Sequence, residues 1–416
     1  MLFATGLVFV VWRSAIDGSF HYDDFANVVR DPVTLHPERI VHRLLHGIRP
    51  LTRLSYAWDY ARGGMEARPF LVTNLLLHLA TVAGVALLAG FWAAALFGLQ
   101  PAAIEVVAYV SGRSTGLMAA LTVWGLVAHT RSRTALSFAL FAAACAAKEV
   151  ALVFPLWLLL WDRYRNEERP MVAPVLGLGL WAAICTTALF ASTHLRDLLT
   201  YSFGQRSAIQ ALVDNARALP QVLAAWGNPE RLSIVQPFDA SSSPLPGLFL
   251  WLSLLSCAVL THRRFPSAAF AAGWVAAVLL PYYSIVVRNE PVTAKPLYLA
   301  WLGPATWIGT ALTGNGARFR TAMLRACVTA ILVFWGFEIR RQVHRWSDEL
   351  TLWEHATQRA PESFVAWNNY GRALLGTSRG TEARGAFTRA LSLEPESFSV
   401  RQNLEMAQLL SKGETW

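Results

Sequence analysis

Leu2-Phe3-Ala4-Thr5-Gly6-Leu7-Val8-Phe9-Val10-Val11-Trp12, followed closely by Tyr22-Asp23-Asp24-Phe25, is the stretch on which the fold turns. An uncharged apolar run ends, two adjacent carboxylates appear, and a long polar loop separates them from further apolar runs. Acidic groups at a membrane boundary are costly unless they are hydrated, paired or used. The pattern therefore predicts a membrane-embedded chain whose first outer loop opens on a carboxylate pair.

Composition agrees. Of 416 residues, 54% are hydrophobic and only 15% charged, with 17 Trp and 22 Phe. A soluble domain carries about 25% charged residues. The net charge of +9 comes from 36 Lys and Arg against 27 Asp and Glu. Membrane topology explains it better than nucleic acid does, since Arg collects in cytoplasmic loops. Cys145, Cys185, Cys257 and Cys327 each lie in or beside a different apolar run and lack metal-ligand spacing. They read as small buried apolar residues, and no metal is expected. The first run lacks a basic leader and a small-residue cleavage site, so it reads as a span rather than a signal peptide.

Eleven apolar runs are expected to form about eleven spans of an all-α polytopic helix bundle. They lie near Leu2–Ile16, Phe70–Leu88, Phe91–Val110, Gly116–His129, Ala135–Ala147, Val150–Trp161, Val172–Ala191, Leu245–Leu260, Ala268–Val287, Leu297–Leu312 and Met323–Phe337. Several are shorter than the roughly 20 residues of a full span. With the N-terminus in the cytoplasm, inner loops hold Arg131, Arg133, Arg163, Arg165, Arg169, Arg263, Arg264, Arg318 and Arg320. The short outer loops hold only Arg113, Lys148, Arg288 and Lys295. This is the positive-inside asymmetry. The long loops 17–69 and 192–244 then lie outside, as does the C-terminal segment.

Residues 1–338 form the expected membrane domain, and 339–416 a second unit. Trp367, Tyr370, Gly371, Leu374, Ala383, Phe387, Ala390 and Pro395 occupy the key positions of a 34-residue tetratricopeptide repeat. Trp353, Ala356 and Pro361 mark the second helix of a preceding partial repeat, and Phe398 to Leu410 reads as a closing helix. So short a module buries little core and is expected to pack on the membrane domain or its loops.

Candidate site residues cluster on the outer side. The first loop holds Asp23, Asp24, Asn27, His36, His42, His46, Arg49 and Arg53. It reads either as a solvated loop or as a site with a fixed cation at Arg49, whose fork matches phosphate oxygens. Asn74 and His78 share a helix face at i, i+4, for a site or for an interhelical hydrogen bond. Glu105 with Arg113, and Lys148 with Glu149, are charges within or beside apolar runs. They are either structural pairs or a site for an anionic headgroup.

Taken in order, these pieces resemble the GT-C superfamily of membrane glycosyltransferases, and within it the transmembrane and tetratricopeptide-repeat O-mannosyltransferase-like family and its bacterial relatives. The matching segments are Tyr22-Asp23-Asp24-Phe25 with Asn27, Arg49-Pro50-Leu51, Asn74-Leu75-Leu76-Leu77-His78, and Glu105 through Ser114. Lys148-Glu149 with Pro155, Pro296-Leu297-Tyr298-Leu299, and Trp346 through Leu350 with Leu352-Trp353 complete them. The chain departs where the family often has His-Pro (Gln100-Pro101 here), Glu-Arg (Lys295-Pro296) and an acidic residue (Thr115).

The resemblance implies an inverting enzyme that takes a sugar from a polyprenyl-phosphate carrier at the outer face of a bacterial inner membrane. The lipid-linked sugar is the donor substrate, and no further cofactor is implied. Asp23, or Asp24 as second choice, would be the base or acceptor-binding group. A carboxylate can take the proton of an attacking hydroxyl, while Arg49, Arg113 and Lys148 would meet charge growing on the leaving phosphate. Asn74, His78, Glu105 and Glu149 complete the expected substrate site. The repeats would recruit a protein acceptor in the periplasm. Two other readings stand beside this one. A catalytically silent scaffold would assemble envelope complexes through the repeats, and a transporter for lipid-linked glycans would show inverted-repeat symmetry.

Overall fold

Backbone N–H and C=O groups in an apolar run need partners, and a helix supplies them within the run itself. A computed structural model shows how far this holds. It describes residues 1–36, 49–166, 207–283, 292–313 and 318–411, with isolated positions between. The expected run Val172–Ala191, apart from four isolated positions, and the loop residues His42 and His46 lie outside the described residues. All regular structure among the described residues is helical.

Helix α1 (Leu2–Trp12) continues into a 3-10 turn, Arg13–Asp17. In the first long loop, α2 (Pro50–Gly63) starts with proline at its first position, where the missing N–H costs nothing. Helix α3 (Ala67–Gly98) bends at Gly90, whose φ of 83° no side-chain-bearing residue adopts easily. The run Phe91–Val110 is not one span. Its helix stops at Gly98, Pro101 opens a 3-10 turn, and Ile104–Val107 makes a single helical turn. Proline cannot donate the N–H that continuation would need. The chain bends by 101° before α4 (Arg113–Thr130).

Helices α5 (Thr134–Ala147) and α6 (Phe154–Arg165) follow. The second long loop contains α7 (Ala208–Gly227), and then come α8 (Leu245–Leu260) and α9 (Pro266–Leu279). Next are α10 (Lys295–Ala300), α11 (Leu302–Thr313) and α12 (Arg318–Ser347). The centre of the bundle is α3, flanked by α1, α4 and α11, while α9 lies between α6, α8 and α11. Trp12, Phe97, Trp157, Trp274 and Tyr298 fill the core.

Among the described residues, two helices, α3 and Phe319–Ser347 of α12, are long and apolar enough to cross a membrane, and a third if the bent pair around α4 counts as one span. Other apolar helices, α5, α8 and α9, are shorter. Phe319, Met323, Val333, Phe334 and Phe337 of α12 are exposed, an apolar face without protein cover.

Residue 338 lies inside α12, which continues to Ser347. Asp348 then caps α13 (Glu349–Arg359) by accepting from the Thr351 N–H at 2.8 Å. Helices α14 (Phe364–Gly376), α15 (Gly380–Leu393) and α16 (Phe398–Ser411) complete the module. A side chain at Gly371 would put its Cβ 2.6 Å from the Phe387 ring, so glycine permits the close packing of α14 on α15. A second cluster joins Trp353, Ala356 and Ala366 to Val235, with Tyr22 and Ile234 packed against it. The module thus packs on both long loops.

Candidate active site

Tyr22 has a φ of 42°, an uncommon backbone for a bulky residue. Its ring packs edge-on against Trp353, 5.7 Å between centroids. This turn sends the two following carboxylates into different surroundings.

Asp24 is completely buried. Its carboxylate accepts from the His21 N–H (2.9 Å), the Ser111 N–H (2.7 Å) and the Ser111 hydroxyl. Burial pushes its pKa up to about 6, against the opposing pull of those hydrogen bonds. Asp24 bolts the first loop to the turn before α4. Asp23 is only partly buried, and its N–H donates to the Tyr109 hydroxyl at 3.1 Å. It lines a pocket of about 340 Å³, including its open mouth, together with Glu105, Tyr109, Gln236, Lys295 and Trp346. Most of that volume is the open mouth, and the enclosed part has room for about one water molecule, so the site is a shallow polar cleft. The Lys295 ammonium lies over the Tyr109 ring, 5.1 Å from its centre. Asp23, an acid, and Lys295, a cation, therefore face one cavity with Glu105.

Glu105 reaches that cavity through tight backbone packing. A Cβ on Gly112 would fall 2.0 Å from the Glu105 carbonyl oxygen and 2.9 Å from Val106 Cα. Only glycine lets the turn before α4 lie on the Ile104–Val107 segment this closely.

The other expected site residues are placed elsewhere. Arg113 is fully buried and does not line the pocket. It donates to Asp59 (2.7 Å), the Phe70 carbonyl (2.7 Å), the Ser55 hydroxyl (3.1 Å) and the Asn74 side-chain oxygen. Its donors are occupied by α2 and α3, so the structure corrects its role from phosphate clamp to structural tie. Asn74 also donates to the Tyr109 carbonyl at 2.8 Å, which makes it the interhelical bond rather than a substrate group. His78 is buried between the Tyr298 hydroxyl (2.8 Å from Nδ1) and the Gly98 carbonyl (3.0 Å from Nε2). A carbonyl only accepts, so Nε2 carries a proton and donates to Gly98. Trp12 Nε1 donates to the same carbonyl at 2.8 Å. His78 therefore holds the end of α3 and is not a pocket residue.

Arg49 pairs with Glu149 through a two-pronged contact, with Nε at 2.8 Å. It is thus balanced by an expected site residue instead of standing open to phosphate. Lys148 donates to the Thr115 hydroxyl at 2.7 Å and lies 5.4 Å from the centre of the Tyr282 ring. Arg53 is held by Asn27 at 3.1 Å, with Asp31 3.7 Å away. Gln100, one of the departures, donates to the Phe97 and Tyr298 carbonyls, both at 3.1 Å, and ties α3 to α10.

Sequence reasoning named Asp23 and Glu105 and missed Lys295, Tyr109 and Gln236. Tyr109 carried a signal, since it follows Glu105 at i+4 in the segment 105–114. Lys295 was visible as one of the few outer-loop cations. Among the described residues no three His, Cys, Asp or Glu side chains converge as metal ligands. No family model matches this chain, and neither a curated protein nor a solved structure does.

Proposed function

We propose that this chain is a polytopic GT-C-type membrane glycosyltransferase that moves a sugar from a polyprenyl-phosphate carrier to an acceptor hydroxyl, in protein O-glycosylation. One observation carries the reading: Asp23 and Lys295 line one polar cleft, and two of its lining residues, Tyr22 and Ile234, also pack against the repeat module. In the proposed reaction the acceptor oxygen attacks the anomeric carbon and forms the new C–O bond. Its proton passes to the Asp23 carboxylate. The bond from the anomeric carbon to the phosphate oxygen breaks, and the carrier phosphate leaves with the electron pair. Lys295 meets the charge that grows there. The polyprenyl chain remains in the membrane beside the bundle, and the repeats present the acceptor.

The reading includes an eleven-span bundle in a bacterial inner membrane, with the N-terminus in the cytoplasm and the repeats in the periplasm. Arg asymmetry between the loops supports that topology. A Ser397→Cys variant is expected to react with an impermeant thiol reagent in intact spheroplasts, and labelling only after lysis would reverse the topology.

The decisive test is Asp23→Asn, assayed by transfer of labelled sugar from lipid carrier to acceptor in membranes. Asn keeps the size of Asp but cannot take a proton, so transfer should fall by about 10²–10⁴-fold with donor binding retained. Near-parental transfer by this variant would remove Asp23 from catalysis. The scaffold reading is favoured by Arg49 and Arg113 being committed to Glu149 and Asp59. It becomes the better account if the parent protein shows no transfer at all.

A further inference from the structure

At the other end of α9 from the candidate pocket lies a second feature. Just beyond the C-terminal end of α9, the Tyr283 hydroxyl donates to the carbonyl of Thr293, a pocket residue, at 3.2 Å. The N-terminal end of α9 is about 21 Å away along the helix. There α6, α8 and α9 leave a groove of about 840 Å³, including its open side. Leu159, Leu160, Val259 and Phe270 give it apolar walls. Arg163, Tyr164 and His262, from the helix ends, line its polar end.

His262 marks this groove as a site. Its Nδ1–H donates to the Val259 carbonyl at 2.7 Å, which fixes the ring. Its Nε2 is shut off from solvent and has no hydrogen-bond partner. An unmade hydrogen bond at a buried polar atom is costly, and a ligand would remove that cost. Arg163 is exposed and has no ion pair among the described residues. Arg263 and Arg264 stand on the adjoining turn, so the rim is basic. Leu255, Val259 and Leu260 of α8 are exposed beside it, an apolar surface suited to hydrocarbon.

We infer that this groove binds an anionic phospholipid of the membrane leaflet that borders the Arg-rich loops. An acyl chain lies against Leu159, Leu160 and Phe270. The Arg163 fork takes two phosphate oxygens, and His262 Nε2, which has no protein partner, faces the headgroup. The basic rim selects a net negative headgroup over a zwitterionic one. This inference rests on the membrane reading of the chain but not on glycosyl transfer.

The experiment uses the full-length protein in nanodiscs of phosphatidylcholine, with or without phosphatidylglycerol, followed by native mass spectrometry of the released protein. The parent should retain phosphatidylglycerol in preference to phosphatidylcholine. An Arg163→Gln/His262→Gln double variant should bind it at least about tenfold more weakly, as loss of charge-assisted hydrogen bonds implies. Ala258→Phe, which leaves both polar groups intact and fills the groove, should also lose the lipid. Equal retention of both lipids, or undiminished retention by the double variant, overturns the inference. So does protection of the protein by inorganic phosphate as strong as that by phosphatidylglycerol, which would make the site one for a free anion. Binding of polyprenyl phosphate with no binding of phosphatidylglycerol would assign the groove to the carrier and also overturn it. Alkaline carbonate extraction separates the two layers of the argument: a protein released by carbonate would defeat the membrane reading, whereas a retained protein without bound lipid defeats only this site.

Discussion

Replacing Arg113 by methionine tests the most consequential reassignment. Arg113 and Asp59 are both fully buried, and their 2.7 Å contact joins α4 to α2. Methionine removes the charge and leaves the Asp59 carboxylate with the Thr73 hydroxyl at 2.7 Å as its nearest remaining donor. Breaking a buried pair by deleting one partner costs about 3–5 kcal/mol. The Phe70 carbonyl and the Asn74 side-chain oxygen also lose their donor, so the upper part of that range is expected. A second variant, Arg113→Met/Asp59→Leu, removes the stranded charge as well. It should recover part of the loss, because the two residues share one interaction. The assay is reversible unfolding of parent, single and double variants in mixed micelles, with donor binding measured in parallel. If Arg113→Met keeps parental stability and loses donor binding, Arg113 is a phosphate clamp and the structural reasoning fails.

Three further outcomes follow from the geometry. Lys295→Met should lower transfer and weaken donor binding, with partial recovery in Lys295→Arg; an unchanged donor KM and kcat in Lys295→Met would exclude it from the site. Gly112→Ala forces a side chain into the Glu105 and Val106 backbone and should destabilise by about 1–3 kcal/mol or more, read as earlier thermal unfolding; parental stability would refute the close packing. His355, on α13, has its pKa lowered to about 4 by burial and by Arg345, Arg359 and Arg341. Between about 6.5 and about 4 the unfolded chain holds a proton that the folded one does not. Stability of the repeat module should therefore drop as pH falls through that window, and His355→Gln should flatten the dependence.

Much of the helical layout was readable because apolar runs must satisfy their own backbone, and α8 matches its expected bounds residue for residue. The run Phe91–Val110 misled because its composition stays apolar across Gly98 and Pro101, and hydropathy does not register a missing N–H. The site was legible only in part. Asp23 and Asp24 are neighbours in sequence with identical chemistry, and what separates them is the Tyr22 backbone and a serine at position 111. Arg113 and Lys295 were both outer-loop cations. Asp59, which engages the first, lies in an unremarkable polar loop, and no local pattern couples positions 59 and 113. Gln100 looked like a defect against the expected His-Pro, yet its amide ties together two helix ends, a task that requires only a buried donor.

Helix α12 is 30 residues of unbroken helix, about 45 Å long. Its first part is apolar and exposed, its last turn carries Trp346 into the pocket wall, and the repeats begin directly after Asp348. Beyond the apolar part, Gln342 donates to the Pro229 carbonyl at 3.0 Å, and Arg345 lies 3.4 Å from Glu230. A continuous rod has no joint in which to absorb a twist. A twist applied to its apolar part is therefore carried along the helix to Trp346 in the cavity wall, while the extended backbone of Asp348 is the joint that separates this rod from the repeats.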